Sequence, residues 1–290
     1  MFRGSIPALV TPFRDGCVDE DSFAAFIEWQ ISEGSHGLVP CGTTGESATL
    51  TRPEHHRVVA LCVEVANRRV PVIAGCGSND TATAIEHLAH AARIGADAAL
   101  VVTPYYNRPS QEGLYQHYKA LAEASRVPII LYNVPARTSV DLSVDTMGRL
   151  AKLPNIVGVK DASGNVARVS AQRAACGLDF QQISGNDDMA LGFMAHGGIG
   201  CISVSANVAP RLCADFQDAC HAGDWVMARE LQDRLYPLHA ALFTDASPAP
   251  TKYALDKLGH MAGELRLPLT PASETSRQAV DSALAHAGIV

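Results

Sequence analysis

Short apolar runs alternate with longer stretches of helical period along most of this chain, and that alternation limits its possible folds more than any other feature. The runs are Ile6–Val10, Gly37–Pro40, Val70–Ala74, Ala98–Val102, Ile129–Tyr132, Ile156–Lys160, Phe180–Ser184 and Ile199–Ser203, eight candidate strands in all. Continuous apolar runs of this length suit strands buried on both faces. Between them, Asp21–Glu33, Arg52–Asn67, Thr81–Ile94, Gln111–Ser125, Val144–Lys152, Val166–Cys176 and Met189–His196 carry helical periodicity. Asp21, Ser110 and Ser143 are good capping residues, and Glu54 follows Thr51 at capping-box spacing. Eight β-then-α steps predict a closed α/β architecture, a (β/α)8 TIM barrel, rather than an open doubly wound sheet. The length of 290 residues agrees, since such a barrel takes about 250. Past residue 207 no strand pattern returns. Arg211–His221 completes the barrel, while Trp225–Phe243, Ala249–Leu258 and Glu274–His286 read as a C-terminal helical extension. The expected division is 1–222 for the barrel and 223–290 for an extension packed on it, with no linker-like stretch between them.

Composition narrows the partners. Hydrophobic residues at 47% supply a large core, and a net charge of −7 argues against binding nucleic acid. No apolar stretch is long enough to span a bilayer, so no membrane partner is expected, and no secretory leader is read at Met1-Phe2-Arg3-Gly4. The eight cysteines, Cys17, Cys41, Cys62, Cys76, Cys176, Cys201, Cys213 and Cys220, contain no Cys-x-x-Cys pair. Reduced thiols in a cytoplasmic protein are the simplest account.

A barrel of this kind carries its chemistry where the strands end. The sixth run ends in Lys160. Burying an ammonium is costly, and burial favours the neutral, nucleophilic amine, so Lys160 is a candidate Schiff-base former. The alternative is a lysine that snorkels out of the strand end. Tyr132 ends the fifth run, one β-α step earlier, and so belongs on the adjacent strand at matching height. A tyrosine beside an amine can shuttle protons as an imine forms. The second run leads into Gly42-Thr43-Thr44-Gly45, which offers N–H groups and two hydroxyls to a carboxylate. Local side-chain caps are the other reading of Thr43 and Thr44. Arg137 adds a second cation, for a substrate carboxylate or for a surface ion pair.

Four segments carry a resemblance. They are Gly42-Thr43-Thr44-Gly45-Glu46-Ser47, Thr103-Pro104-Tyr105-Tyr106-Asn107-Arg108-Pro109, Tyr132-Asn133-Val134-Pro135-Ala136-Arg137-Thr138 and Val159-Lys160-Asp161-Ala162-Ser163-Gly164. Together they resemble the dihydrodipicolinate synthase family, from Gly4 to Val290. The resemblance implies a lyase that condenses pyruvate with L-aspartate-4-semialdehyde on the route to diaminopimelate and lysine. It implies that Lys160 forms the pyruvate Schiff base, Tyr132 relays protons, and Thr43 links Tyr132 to a Tyr106 supplied across a dimer interface. Thr44 would hold the pyruvate carboxylate and Arg137 that of the semialdehyde, with the carbonyls of Gly185 and Ile202 lining the pocket. A cytoplasmic homotetramer is implied as well. Many members bind lysine at the dimer interface and are inhibited by it. Ser47, Ala48, His55, Asn79 and Tyr105 match that site, whereas Arg52 replaces a histidine and Thr83 a glutamate, so weak or no inhibition is expected.

Neuraminate lyases and keto-acid aldolases of the same superfamily share the glycine turn, the tyrosine and the lysine. Arg137 and the paired Tyr105-Tyr106 favour the semialdehyde over a sugar acid. A barrel without catalysis, serving as a scaffold, is the rival from another class, and the filled catalytic positions argue against it. No cofactor is implied, because the lysine imine is itself the electron sink. Gly75-x-Gly77 and Gly197-Gly198-x-Gly200 are too short and wrongly placed for a dinucleotide fingerprint. No metal is expected: His55-His56 and the His87/His90 pair read as helix-surface or interface residues. Asp187-Asp188 reads as an acidic cap at the start of a helix rather than as a metal site.

Overall fold

Parallel strands close into a barrel in the computed structural model, which describes residues 2–290. Met1, the first residue of the expected barrel segment, lies outside them. The strands of the main sheet are β1 (Gly4–Pro7), β4 (Ile73–Gly75), β5 (Ala98–Val102), β6 (Ile129–Asn133), β7 (Ile156–Asp161), β8 (Gln181–Ser184) and β9 (Gly200–Ser203). They lie in the order β1-β9-β8-β7-β6-β5-β4. The two edges are joined by Leu38-Val39, bridged in parallel to Val72 on one side and Ala8 on the other. The Leu38 carbonyl accepts from Ile73 N and the Val39 carbonyl from Leu9 N, both within 2.9 Å. The eighth expected strand is thus present as a two-residue bridge that removes both sheet edges.

Between β1 and the first helix the chain makes a hairpin that the apolar pattern does not announce: β2 (Phe13–Arg14) and β3 (Cys17–Val18). Asp15 and Gly16 both take left-handed φ, 53° and 79°, as the tight hairpin turn requires. The helices are α1 (Glu20–Ser32), α2 (Arg52–Ala66), α3 (Thr81–Ile94), α4 (Gln111–Ala124), α5 (Pro135–Thr138), α6 (Val144–Leu150), α7 (Arg168–Cys176), α8 (Ala190–Ala195), α9 (Pro210–Ala222), α10 (Trp225–Ala241), α11 (Ala249–Lys257) and α12 (Glu274–Ala287). Thr51 and Glu54 form the expected capping box of α2, and Ser110 and Ser143 cap α4 and α6. α1 is capped by Asp19 rather than Asp21, which sits in its first turn where an acid suits the helix dipole.

Alternation along each strand sorts the core into two shells. Ile6, Val39, Ile73, Leu100, Ile130, Tyr132, Ile183 and Ile202 form one buried cluster inside the barrel. Their neighbours, such as Leu38, Val101, Leu131 and Val159, pack outward against the helices. The period of two therefore turns Tyr132 and Ile202 inward.

α10 packs on α9 and α12, and α11 on α12. Lys252 of α11 is fully buried, 2.5 Å from Glu46 of the turn after the second strand position, and donates to the Glu264 carbonyl. Desolvation lowers the pKa of Lys252, and the Glu46 carboxylate works against that shift. A buried pair of this kind strongly resists loss of one partner, so it ties the extension to the barrel. All eight cysteines are free thiols. Among the described residues no helix is long and apolar enough to cross a membrane.

Candidate active site

Lys160 and Tyr132 are register partners on the adjacent strands β7 and β6. Lys160 is 5% exposed and Tyr132 7%. The Lys160 Nζ lies 4.2 Å from the Tyr132 ring centroid. Among the described residues no carboxylate is within ion-pair reach of that nitrogen. An amine held against a phenol inside a barrel, with no acid paired to it, is placed as a candidate nucleophile.

The strand end is held by a residue that sequence reading passed over. Asp161 is buried and accepts from Arg168 Nε at 3.1 Å, Gln172 Nε2 at 2.5 Å and the Ser163 backbone at 2.8 Å. Arg168 continues to Asp141 and to the Leu142 carbonyl, while Asn133 at the end of β6 meets Asp141 and Leu142 N. One network thus braces the tips of both strands that carry Lys160 and Tyr132. An acid directly after a strand-end lysine was its only visible sign.

Gly185 follows β8 and is required by space. A Cβ there would meet Ala162 Cβ at 2.7 Å and Lys160 Cε at 3.1 Å. The absence of a side chain leaves room for the lysine stem. Ile202 lies in the same inner cluster as Tyr132.

The Gly42–Glu46 segment is a pair of overlapping turns. Gly45 N–H donates to the Gly42 carbonyl and Glu46 N–H to that of Thr43, each at 3.1 Å. Thr11 Oγ1 donates to the Gly45 carbonyl at 2.7 Å. The Thr43 and Thr44 N–H groups find no acceptor among the described backbone bonds. Thr44 is 5% exposed, and Thr43 faces the open cleft. Local capping by these two hydroxyls is not observed, so they remain available to an anion.

Thr43 and Arg137 share a cleft of about 330 Å³ that Val102, Val134, Ser247 and Leu269 also line. Arg137 lies on α5, a single turn after β6 that hydrophobic period did not predict. It is exposed, with no carboxylate in ion-pair range among the described residues, so a surface ion pair is not its role within the chain. Tyr106 stands apart. It is 91% exposed, in a left-handed conformation at φ 70°, and no hydrogen bond links it to Thr43 or Tyr132 within one chain.

The lysine-site positions divide. Ser47, Ala48, His55 and Tyr105 line a cavity of about 300 Å³ with Arg52, Thr83 and His87, adjoining the Arg137 cleft through the shared walls of Ser47, Ala48, Gly77 and Tyr105. Asn79 is not in its wall, and its carbonyl accepts from Asn107 Nδ2 at 2.8 Å. Arg52 pairs with Glu86 at 2.9 Å, and the Thr83 hydroxyl is turned to its capping residue Asp80 at 2.6 Å.

Two sequence expectations need correction. Asp187 does not cap a helix. α8 starts at Ala190 without a side-chain cap, and Asp187 instead accepts from Ser203 Oγ and from Val204 and Ser205 N after β9. The helix-surface half of the reading for the α2 and α3 histidines does not hold for His55. His55 is 6% exposed, and His55, His56 and His87 turn toward one another between the helices. Spacing within each helix could not reveal a cluster assembled from two.

The model of the dihydrodipicolinate synthetase family matches residues 1–287. The chain is 65% identical over 290 residues to the 4-hydroxy-tetrahydrodipicolinate synthase of Rhizorhabdus wittichii, covering all of both chains. It is 63% identical over 291 residues to the synthase of that name from Zymomonas mobilis, again covering both fully. Among solved structures it is similar to the chloride-inhibited dihydrodipicolinate synthase of Acinetobacter baumannii in complex with pyruvate, at 48% identity, TM-score 0.98 and full coverage of both chains. It is also similar to the lysine-bound enzyme of Cyanidioschyzon merolae, at 37% identity and TM-score 0.96, over 100% of this chain and 99% of that one.

Proposed function

The chain belongs to the dihydrodipicolinate synthetase family, and from that we infer that it is a lyase condensing pyruvate with L-aspartate-4-semialdehyde to 4-hydroxy-tetrahydrodipicolinate, a step toward diaminopimelate and lysine. The observation that carries this reading is the pairing of Lys160 with Tyr132 at one register position inside the barrel. In the proposed mechanism the Lys160 amine attacks the pyruvate ketone, and loss of water gives an imine. Tyr132, through Thr43 and a Tyr106 from a second subunit, carries protons to and from the carbinolamine. Loss of a methyl proton gives an enamine, whose carbon attacks the aldehyde. The amine of the condensed product then displaces Lys160 by cyclisation, restoring the free lysine. Thr44 and the free N–H groups of its turn suit the pyruvate carboxylate. Arg137, on the cleft rim, suits the carboxylate of the semialdehyde. The Gly185 and Ile202 carbonyls complete the pocket lining.

The test is reduction with borohydride in the presence of pyruvate, followed by peptide mass spectrometry. The wild type should carry a reduced pyruvyl adduct on Lys160 and Lys160→Ala none. An adduct retained in the variant, or found on Lys152 or Lys252, would overturn the assignment. An aldehyde panel separates this activity from that of a keto-acid or neuraminate aldolase.

We further propose that residues 1–222 form the catalytic barrel and 223–290 an extension, that the protein works as a cytoplasmic homotetramer, and that lysine is a weak inhibitor or none. Eight free thiols support a reducing compartment. The 91% exposure of Tyr106 supports an interface around it. The cavity holding the lysine-site positions lacks a carboxylate in its wall to pair with a ligand ammonium.

A further inference from the structure

Four histidines meet between α2 and α3, outside the barrel. His55 and His56 come from α2, His87 and His90 from α3. One imidazole nitrogen from each of His55, His56 and His87 lies within 4.8 Å of the other two. The His55 and His87 ring centroids are 3.9 Å apart, and the His56 and His87 rings meet edge-on at 5.5 Å.

The hydrogen bonds assign the tautomers. His55 Nε2 is 2.9 Å from the Gly75 carbonyl. A carbonyl only accepts, so Nε2 carries the proton and Nδ1 keeps its lone pair. That Nδ1 is buried without a partner, and so are His56 Nε2 and His87 Nδ1. Unpartnered buried nitrogens are costly singly, and three in one place call for a common partner. Desolvation, then the neighbouring imidazoles, holds His55 to about 3 and His87 to about 4, and burial lowers His56 as well. The rings are therefore neutral at neutral pH, the state a metal requires. A ring that donates its second nitrogen to a backbone carbonyl, as His55 does, is oriented as a ligating histidine is.

His90 is not a fourth ligand. Its Nε2 donates to the His56 carbonyl at 3.0 Å, and its Nδ1 accepts from Arg93 at 2.8 Å. Both nitrogens are used, and the ring stacks on His56 at 4.0 Å with 7° between planes. It acts as a brace. The nearby cation Arg52 is offset by Glu86 at 2.9 Å.

We propose that His55, His56 and His87 form a binding site for a divalent transition metal, zinc(II) or cobalt(II), with the fourth position open to the cavity lined by Tyr105, Thr83 and Ser78. Metal–nitrogen distances of about 2.0–2.1 Å place ligand atoms about 3.4 Å apart in a tetrahedron, so ring rotations of about 1 Å close the site. Three imidazoles and an open position are a set that hard cations such as magnesium do not favour.

The test uses untagged full-length protein stripped with a chelator and titrated with cobalt(II), then with zinc(II) in competition. The expected result is one metal per chain, with the visible absorption of tetrahedral cobalt. His56→Gln and His87→Gln should each weaken binding about 100-fold or more, while His90→Gln keeps the stoichiometry and weakens it by about tenfold at most. Circular dichroism of the metal-free variants shows whether each keeps its fold. A metal-free wild type that takes up less than one equivalent at micromolar concentration would overturn the site. So would uptake unchanged in the folded His56→Gln/His87→Gln double variant, which would place the metal on a thiol or elsewhere.

Discussion

Arg137 is the residue proposed to distinguish the two substrates. It is an exposed cation on the cleft rim, free of any ion pair in the chain, whereas Lys160 sits deep in the barrel at 5% exposure. A guanidinium there can receive a carboxylate entering after the first substrate is bound. Losing one charge-assisted contact costs roughly 1.5–3 kcal/mol. Arg137→Ala should therefore raise KM for the semialdehyde by about tenfold or more and change KM for pyruvate much less, as steady-state kinetics with each substrate varied will show. Equal effects on both would mean that Arg137 shapes the whole pocket.

At the scale of elements, the α2–α3–α4 face carries two separable predictions. The first concerns lysine. Arg52 on α2 is already paired with Glu86, and Thr83 on α3 is a hydroxyl bonded to Asp80. The α-ammonium of a lysine ligand finds no carboxylate partner in the wall, at a cost of roughly one to two decades of affinity. Activity should be nearly unchanged up to millimolar L-lysine, and strong inhibition below that would defeat the argument. The second concerns pH. His117 on α4 is 6% exposed, with Nδ1 2.9 Å from Thr81 Oγ1 and Nε2 buried without a partner. Desolvation holds it to about 4, against the upward pull of Asp80. Its folded pKa is below its unfolded value near 6.5, so the unfolded chain binds the proton first. The stability it confers is whole above about pH 6.5 and is lost as pH falls toward 4. Between about pH 7 and 4.5 the wild type should lose about 2–3 kcal/mol more than His117→Gln in urea denaturation. Parallel profiles would refute the assignment.

For the whole molecule, the proposal that Tyr106 completes a second subunit's site has a direct test, since Tyr106 is exposed in the single chain. Tyr106→Phe removes the hydroxyl and Lys160→Ala the amine, and each variant alone should be inactive. In a mixed dimer one site regains both groups. Activity should reappear when the two are co-refolded and the hybrid is verified by native mass spectrometry. Hybrids that stay inactive would show that Tyr106 does not act across an interface.

Local pattern alone determined the eight β-α steps of the barrel, because buried strands must be apolar and surface helices amphipathic. It also placed Lys160 beside Tyr132, since one β-α step moves the chain by one strand in register. The Thr51–Glu54 box, Ser110 and Ser143 were legible because capping is contained within a few residues. The β2–β3 hairpin and α5 were not, since each is too short to show a period. Asp187 reads as a cap until the fold brings Ser203, Val204 and Ser205 onto its carboxylate from another strand. The bracing of β7 by Arg168 and Gln172, the pairing of Lys252 with Glu46 and the convergence of His55, His56 and His87 all join segments far apart in the chain or on different helices. Such contacts leave no periodic signature, and only the packing of one element on another decides which polar groups share a buried space.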